Sequence, residues 1–119
     1  MIGSGVKPSV VYLCAEPVDF RKGMGSLAVM IESQMHLNPF DQALYVFANR
    51  QYRAIKILYW DRNGFCLWHK RLEKEHYHWI RRGMQGVVSI SYEQLEWLLR
   101  GYDISLMTPH KTLKYQSVT

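Results

Sequence analysis

Two cysteines in 119 residues, Cys14 and Cys66, are too few for a disulfide framework. Both fall inside predicted strands, where a free thiol acts as a small apolar group, and no bridge between them is expected. No apolar run is long enough to cross a bilayer, and the N-terminus lacks the basic-then-apolar order of a secretory signal. The expected compartment is the cytoplasm. Carboxylates are also scarce: the ten acids are dispersed, and Asp19, Asp61 and Asp103 each lie near turns where aspartate has a structural job. Metal-assisted strand chemistry needs several carboxylates converging on ions, so no catalytic residue is assigned. Neither a nucleophilic-serine motif nor a phosphate-loop motif occurs, and there is no internal repeat. A small basic nuclease using His69 and Glu73 is conceivable, but nothing requires it.

What the chain has is an apolar, aromatic and basic centre. Its hydrophobic share of 48% supports a real core, and the length suits one compact domain. Residues 54–60 and 65–72 read as the strands of a hairpin around Asp61-Arg62-Asn63-Gly64. Asn63-Gly64 is the turn signal, because these residues reach positive φ at least steric cost. Period-two alternation then puts Lys56, Leu58, Trp60, Phe65, Leu67, His69 and Arg71 on one face. The other face takes Ile55, Ile57, Tyr59, Cys66, Trp68, Lys70 and Leu72. Neither face is purely polar, which suggests a sheet covered by helices on one side and partly used for contact on the other.

Around this hairpin, VVYLC at 10–14 predicts a buried strand, and Glu16 to Gly25 a loop. Leu27, Met30, Ile31 and Met35 recur at helical spacing over 24–36, until Asn38-Pro39 stops the helix. Residues 44–47 give a first meander strand, 49–52 a turn, and 87–90 a further short strand. Ser91-Tyr92-Glu93-Gln94 matches a capping box, followed by a helix striped by Leu95, Leu98 and Leu99 and closed by Gly101. The expected fold is a single α+β domain over 10–105. It consists of a small antiparallel β-meander sheet of three to five strands packed with two main helices. A loose leader, 1–9, precedes it, and a polar tail, 106–119, follows.

Charge is segregated along the chain. Between residues 43 and 82 stand nine basic residues against three acids, a local balance of +6; the rest carries six basic against seven acidic, or −1. Such a field attracts polyanions, although a solvated basic face without a ligand has the same composition.

Five blocks, in order, carry a resemblance: PVDFRKG at 17–23, NPF at 38–40, KILYWDRNGF at 56–65, KRLE at 70–73 and LEWLLRG at 95–101. They resemble the small TnpB-type accessory protein of insertion-sequence family sixty-six, the second open reading frame product of those elements. The resemblance covers roughly 10–104. It implies a bacterial transposition accessory protein encoded beside a DDE-type transposase that performs the strand chemistry. Where the family places a basic-and-glycine step after Glu73 and a proline after the tryptophan, this chain has Lys74-Glu75-His76 and Ile80, which lowers the local positive charge.

The expected DNA-binding residues are Arg50, Arg53, Lys56, Arg62, Lys70 and Arg71, interleaved with Tyr52, Trp60, Phe65 and Trp68. This expectation requires the cations to form one continuous outward patch. Arg21 and Lys22, between strand and helix, are a candidate loop anion site; the other reading is that Asp19 pairs with an arginine and fixes the loop. Cys66, His69, His76 and His78 match no usual zinc spacing, and Cys66 and His69 fall on opposite faces, so neither a metal nor a cofactor is assigned. The expected partners are DNA at element ends and the transposase of the same element. The alternative is an adaptor that docks on the transposase without touching nucleic acid.

Overall fold

The computed structural model describes residues 10–80 and 86–107. The leader expected at 1–9 and residues 108–119 of the tail expected at 106–119, together with Arg81 and Arg82, lie outside the described residues. Five strands, β1 (Val10–Cys14), β2 (Ala43–Ala48), β3 (Ala54–Asp61), β4 (Gly64–Arg71) and β5 (Val87–Ile90), form one sheet in the order β4-β3-β2-β1-β5. Helices α1 (Met24–Ser33) and α2 (Tyr92–Leu99) and a short 3-10 turn at Ile104–Leu106 complete the fold.

The α+β class is as expected, and β2, β3 and β4 form the antiparallel meander. The whole sheet, however, is mixed. β1 lies parallel to β2, from Val10 opposite Ala43 to Leu13 opposite Val46, and β5 runs antiparallel to β1 at the far edge. Parallel neighbours need a long crossover, and α1, in the segment between β1 and β2, provides it. Strand, helix and strand were each legible there; their relative direction was not.

The alternation of faces holds across the hairpin, with Lys56 opposite His69, Ile57 opposite Trp68 and Leu58 opposite Leu67. Cover of one face alone, by contrast, is corrected. Leu27, Met30 and Ile31 of α1 pack with Tyr45, Phe47 and Leu58 on one side of the sheet. Leu95, Leu98 and Leu99 of α2 pack with Val11, Leu13, Val46, Ile55 and Ile57 on the other. Every residue of β2 is buried, so both of its faces need an apolar roof.

Local chemistry sets the ends of these elements. α1 stops at Ser33, short of the expected 36, because His36 turns left-handed (φ 57°) and the Leu37 N–H returns to the Ile31 carbonyl at 3.0 Å. At the hairpin tip the positive φ falls on Arg62 (56°), not on Asn63 or Gly64. Gly64 is already paired with Asp61, leaving a two-residue loop whose even length preserves the facing. The capping box is present: the Ser91 hydroxyl accepts from the Gln94 N–H at 3.0 Å, and Gln94 Oε1 accepts from the Ser91 N–H at 2.9 Å. Ser91→Ala is therefore expected to cost about 1 kcal/mol, read as a lower urea midpoint with unchanged slope.

Tyr77 is 3% exposed, and its hydroxyl has no partner among the described residues. Burial pushes its pKa up to about 12, and that of Tyr45, buried against β3 near Asp41, also to about 12. The folded state thus keeps two protons that the unfolded chain releases near pH 10, so their stabilising share is whole below pH 10 and falls away from pH 10 to 12. Tyr77→Phe removes an unsatisfied group. It is expected to raise stability at pH 7 by about 1 kcal/mol and to flatten the alkaline loss; a fall in melting temperature would contradict this.

Candidate nucleic-acid interface

Because β1 and β2 are parallel, their C-terminal ends lie at one end of the sheet, where β3 begins and β4 finishes. Four stretches meet there: the β1–α1 loop, the β2–β3 turn, the exit of β4, and residues 76–79. Hydrogen bonds tie them together. The Val18 N–H donates to the Ala48 carbonyl at 2.9 Å, the Leu72 N–H to Arg53 at 2.8 Å, and the Tyr77 N–H to Tyr52 at 2.7 Å. The Trp79 indole donates to the Ala15 carbonyl at 3.2 Å, and His76 Nδ1 bonds the Gln51 carbonyl at 2.6 Å.

Asn49 is the organiser of the β2–β3 turn. Its side-chain carbonyl accepts from the Arg53 and Ala54 N–H groups at 2.9 and 3.2 Å, and its main-chain carbonyl accepts from the Tyr52 N–H at 3.0 Å. This holds Tyr52 in the left-handed region, φ 56°. Two clefts flank the turn and share Arg50 and Gln51. The larger, about 900 Å³, is walled by Tyr52, His76, His78, Trp79 and Asp103; the smaller, about 530 Å³, by Asp19, Phe20 and Arg21. Tyr52 and Trp79 present near-parallel rings, with centroids 6.5 Å apart. Asp103 accepts from Ser105 N–H and Oγ, which with nearby His78 hold its carboxyl below the usual range.

The structure divides the expected cations. Arg50 is exposed and Arg53 half-buried in the turn; Arg71, opposite Ala54, is exposed beside them. Arg62 is exposed at the other end of β3, about 25 Å of strand away. None of these four guanidinium groups forms an ion pair or hydrogen bond with a described residue. Lys56 is not on the surface: it is 8% exposed, donates to the Phe20 and Lys22 carbonyls at 2.9 and 3.0 Å, and lies 4.8 Å from the Phe20 ring centre. Lys70 donates to the Leu99 carbonyl at 3.0 Å, at the negative end of α2. Among the described residues the expected continuous patch is thus broken: Arg50, Arg53 and Arg71 stand at one end of the sheet, Arg62 at the other, and Lys56 and Lys70 are engaged in the fold. Alternation sends Lys56 and Lys70 to opposite faces, where each fastens a neighbouring element.

In the loop, the Arg21 guanidinium makes three hydrogen bonds to both Asp19 carboxylate oxygens, at 2.6 to 3.1 Å, and its main-chain N–H adds a fourth at 2.9 Å. These bonds, with Arg50 nearby, hold the Asp19 carboxyl well below the usual carboxylate range. Asp19 already occupies the position an anion would take at Arg21, while the Lys22 side chain stays exposed at the rim. His69 packs edge-on to Phe20, and burial with Lys56 and Arg71 lowers its pKa. Among the described residues, no three His, Cys, Asp or Glu side chains converge as metal ligands would. Both cysteines are free, and no described helix is long and apolar enough to cross a membrane.

The sequence reading missed the larger cleft. Its residues come from three separated stretches, and the only local signal was a polar Asn49-Arg50-Gln51 turn between two apolar strands.

One mixed five-stranded sheet with two helices and exposed arginines at one end defines the class of small basic α+β domain. Within that class, residues 9–109 match the model of the family described as IS66 Orf2 like protein, and the chain belongs to that family. Membership implies an accessory role in insertion-sequence transposition. The chain is similar to two uncharacterised proteins of Sinorhizobium fredii, y4hO, at 36% identity, and y4jC, at 28%, each over 93 residues. These matches cover 78% of this chain, with 80% of y4hO and 79% of y4jC. No solved structure matches.

Proposed function

We propose that the protein is a non-catalytic accessory of transposition that binds DNA backbone through Arg50, Arg53 and Arg71 and so assists a separately encoded DDE-type transposase in the bacterial cytoplasm. The observation carrying this reading is that Arg50, Arg53 and Arg71 all stand at one end of the sheet and none of them forms an ion pair with a described residue. Arginine suits phosphate, offering a planar fork of donors that keeps its charge at any working pH. The test is duplex DNA titrated at several salt concentrations. Three phosphate contacts predict a log–log slope of about −2.7, and no binding even at low salt would overturn the reading.

A second reading has its own observation. Near the opposite end, Phe40, 55% exposed, packs with Trp60 and Phe65 at centroid distances of 4.9 and 5.3 Å. An aromatic cluster partly open to water suits a protein partner, and the adaptor alternative would place the transposase there.

A further inference from the structure

We infer that the cleft of about 900 Å³ beside the β2–β3 turn receives an unpaired nucleotide of the bound DNA, its base stacked on Tyr52 and Trp79 and its phosphate at Arg50. This rests on the DNA-binding reading and deepens it, from attraction to a charged backbone to capture of a base that has left the duplex.

Three observations support the assignment. The first is the chemistry of the walls. Near-parallel aromatic faces offer stacking that tolerates any base. Asp103 and His78, on the same cleft, can exchange hydrogen bonds with a base edge, and Arg50 lines it with no hydrogen bond from its guanidinium to a described residue. The volume is that of a small-ligand site. The second is rigidity. The Trp79 indole is fastened to the Ala15 carbonyl and His76 to the Gln51 carbonyl, so the walls are set before anything binds.

The third is backbone strain. Tyr52 sits at φ 56°, where glycine or asparagine closes a turn more cheaply than tyrosine. Main-chain bonds to Asn49 and Tyr77 enforce that conformation. Its side-chain identity therefore answers to something other than the turn, and one contact that identity supplies is the ring against Trp79.

The experiment compares a fluorescent eight-nucleotide thymidine DNA with an abasic octamer of the same sugar-phosphate backbone and charge. Wild type is expected to bind the base-bearing octamer about tenfold more tightly, within the range for base–aromatic stacking. Tyr52→Asn, which suits the left-handed turn, is expected to keep or raise the melting temperature, leave abasic affinity unchanged and lose the tenfold preference. Equal wild-type affinity for the two octamers would overturn the inference and leave backbone binding intact. So would a preference that survives in Tyr52→Asn. Failure to bind either octamer, or duplex DNA, at low salt would remove both this inference and the reading beneath it.

Discussion

Arg50→Glu, Arg53→Glu and Arg71→Glu together are expected to weaken duplex DNA binding roughly a hundredfold or more at 0.1 M salt and to remove most of its salt dependence. Each reversal deletes one backbone contact and adds a repulsive charge at the same end of the sheet. Folding should survive. Arg50 and Arg71 are exposed, and none of the three side chains is paired with a described residue, so circular dichroism and melting stay close to wild type. Arg62→Glu is the matched control. It also changes an arginine without an ion pair to any described residue, but at the hairpin tip about 25 Å away, and affinity is expected to hold within about twofold. A triple variant that binds like wild type would remove the site.

Lys56→Met separates the same way and carries the largest expected effect on stability. A lysine in a basic strand reads as a phosphate contact, yet this ammonium is buried under the β1–α1 loop, donating to the Phe20 and Lys22 carbonyls. Methionine keeps much of the volume and leaves two carbonyls without their charged donor, a loss of about 2–3 kcal/mol. For a domain of this size that is a fall in melting temperature of roughly 10–20 °C. The salt slope of DNA binding should be unchanged at a temperature where the variant is folded. A stable variant with a shallower slope would show that Lys56 reaches phosphate after all.

Lys56 also shows what could and could not be read from the chain alone. Alternation placed it correctly beside Leu58 and opposite His69, because side chains in a strand alternate without exception when the loop is even. Whether that face meets water depends on which element covers it, and α1 with its preceding loop is brought over β3 only by the parallel pairing of β1 with β2. Helix and strand identities, the capping box and the meander are local properties of spacing and turn chemistry. The direction of β1 and the two-sided roof are long-range, set by a burial requirement that β2 states only as an unbroken apolar run. The candidate site divided along the same line. Arg50, Arg53 and Arg71 were legible as charge, whereas the cleft needs His76, Trp79 and Asp103 carried to Tyr52 from well beyond the hairpin. Lys70 bound to the end of α2 is another long-range contact that no spacing announces.

The DNA contact itself can be located site by site, by titrating duplex DNA into isotope-labelled protein and following the arginine Nε–H and tryptophan indole resonances. The account predicts that Arg50, Arg53 and Arg71 shift in proportion to bound DNA while Arg62 and the Trp60 indole stay in place. Shifts centred on Arg62 and Trp60, with the three arginines unmoved, would contradict it.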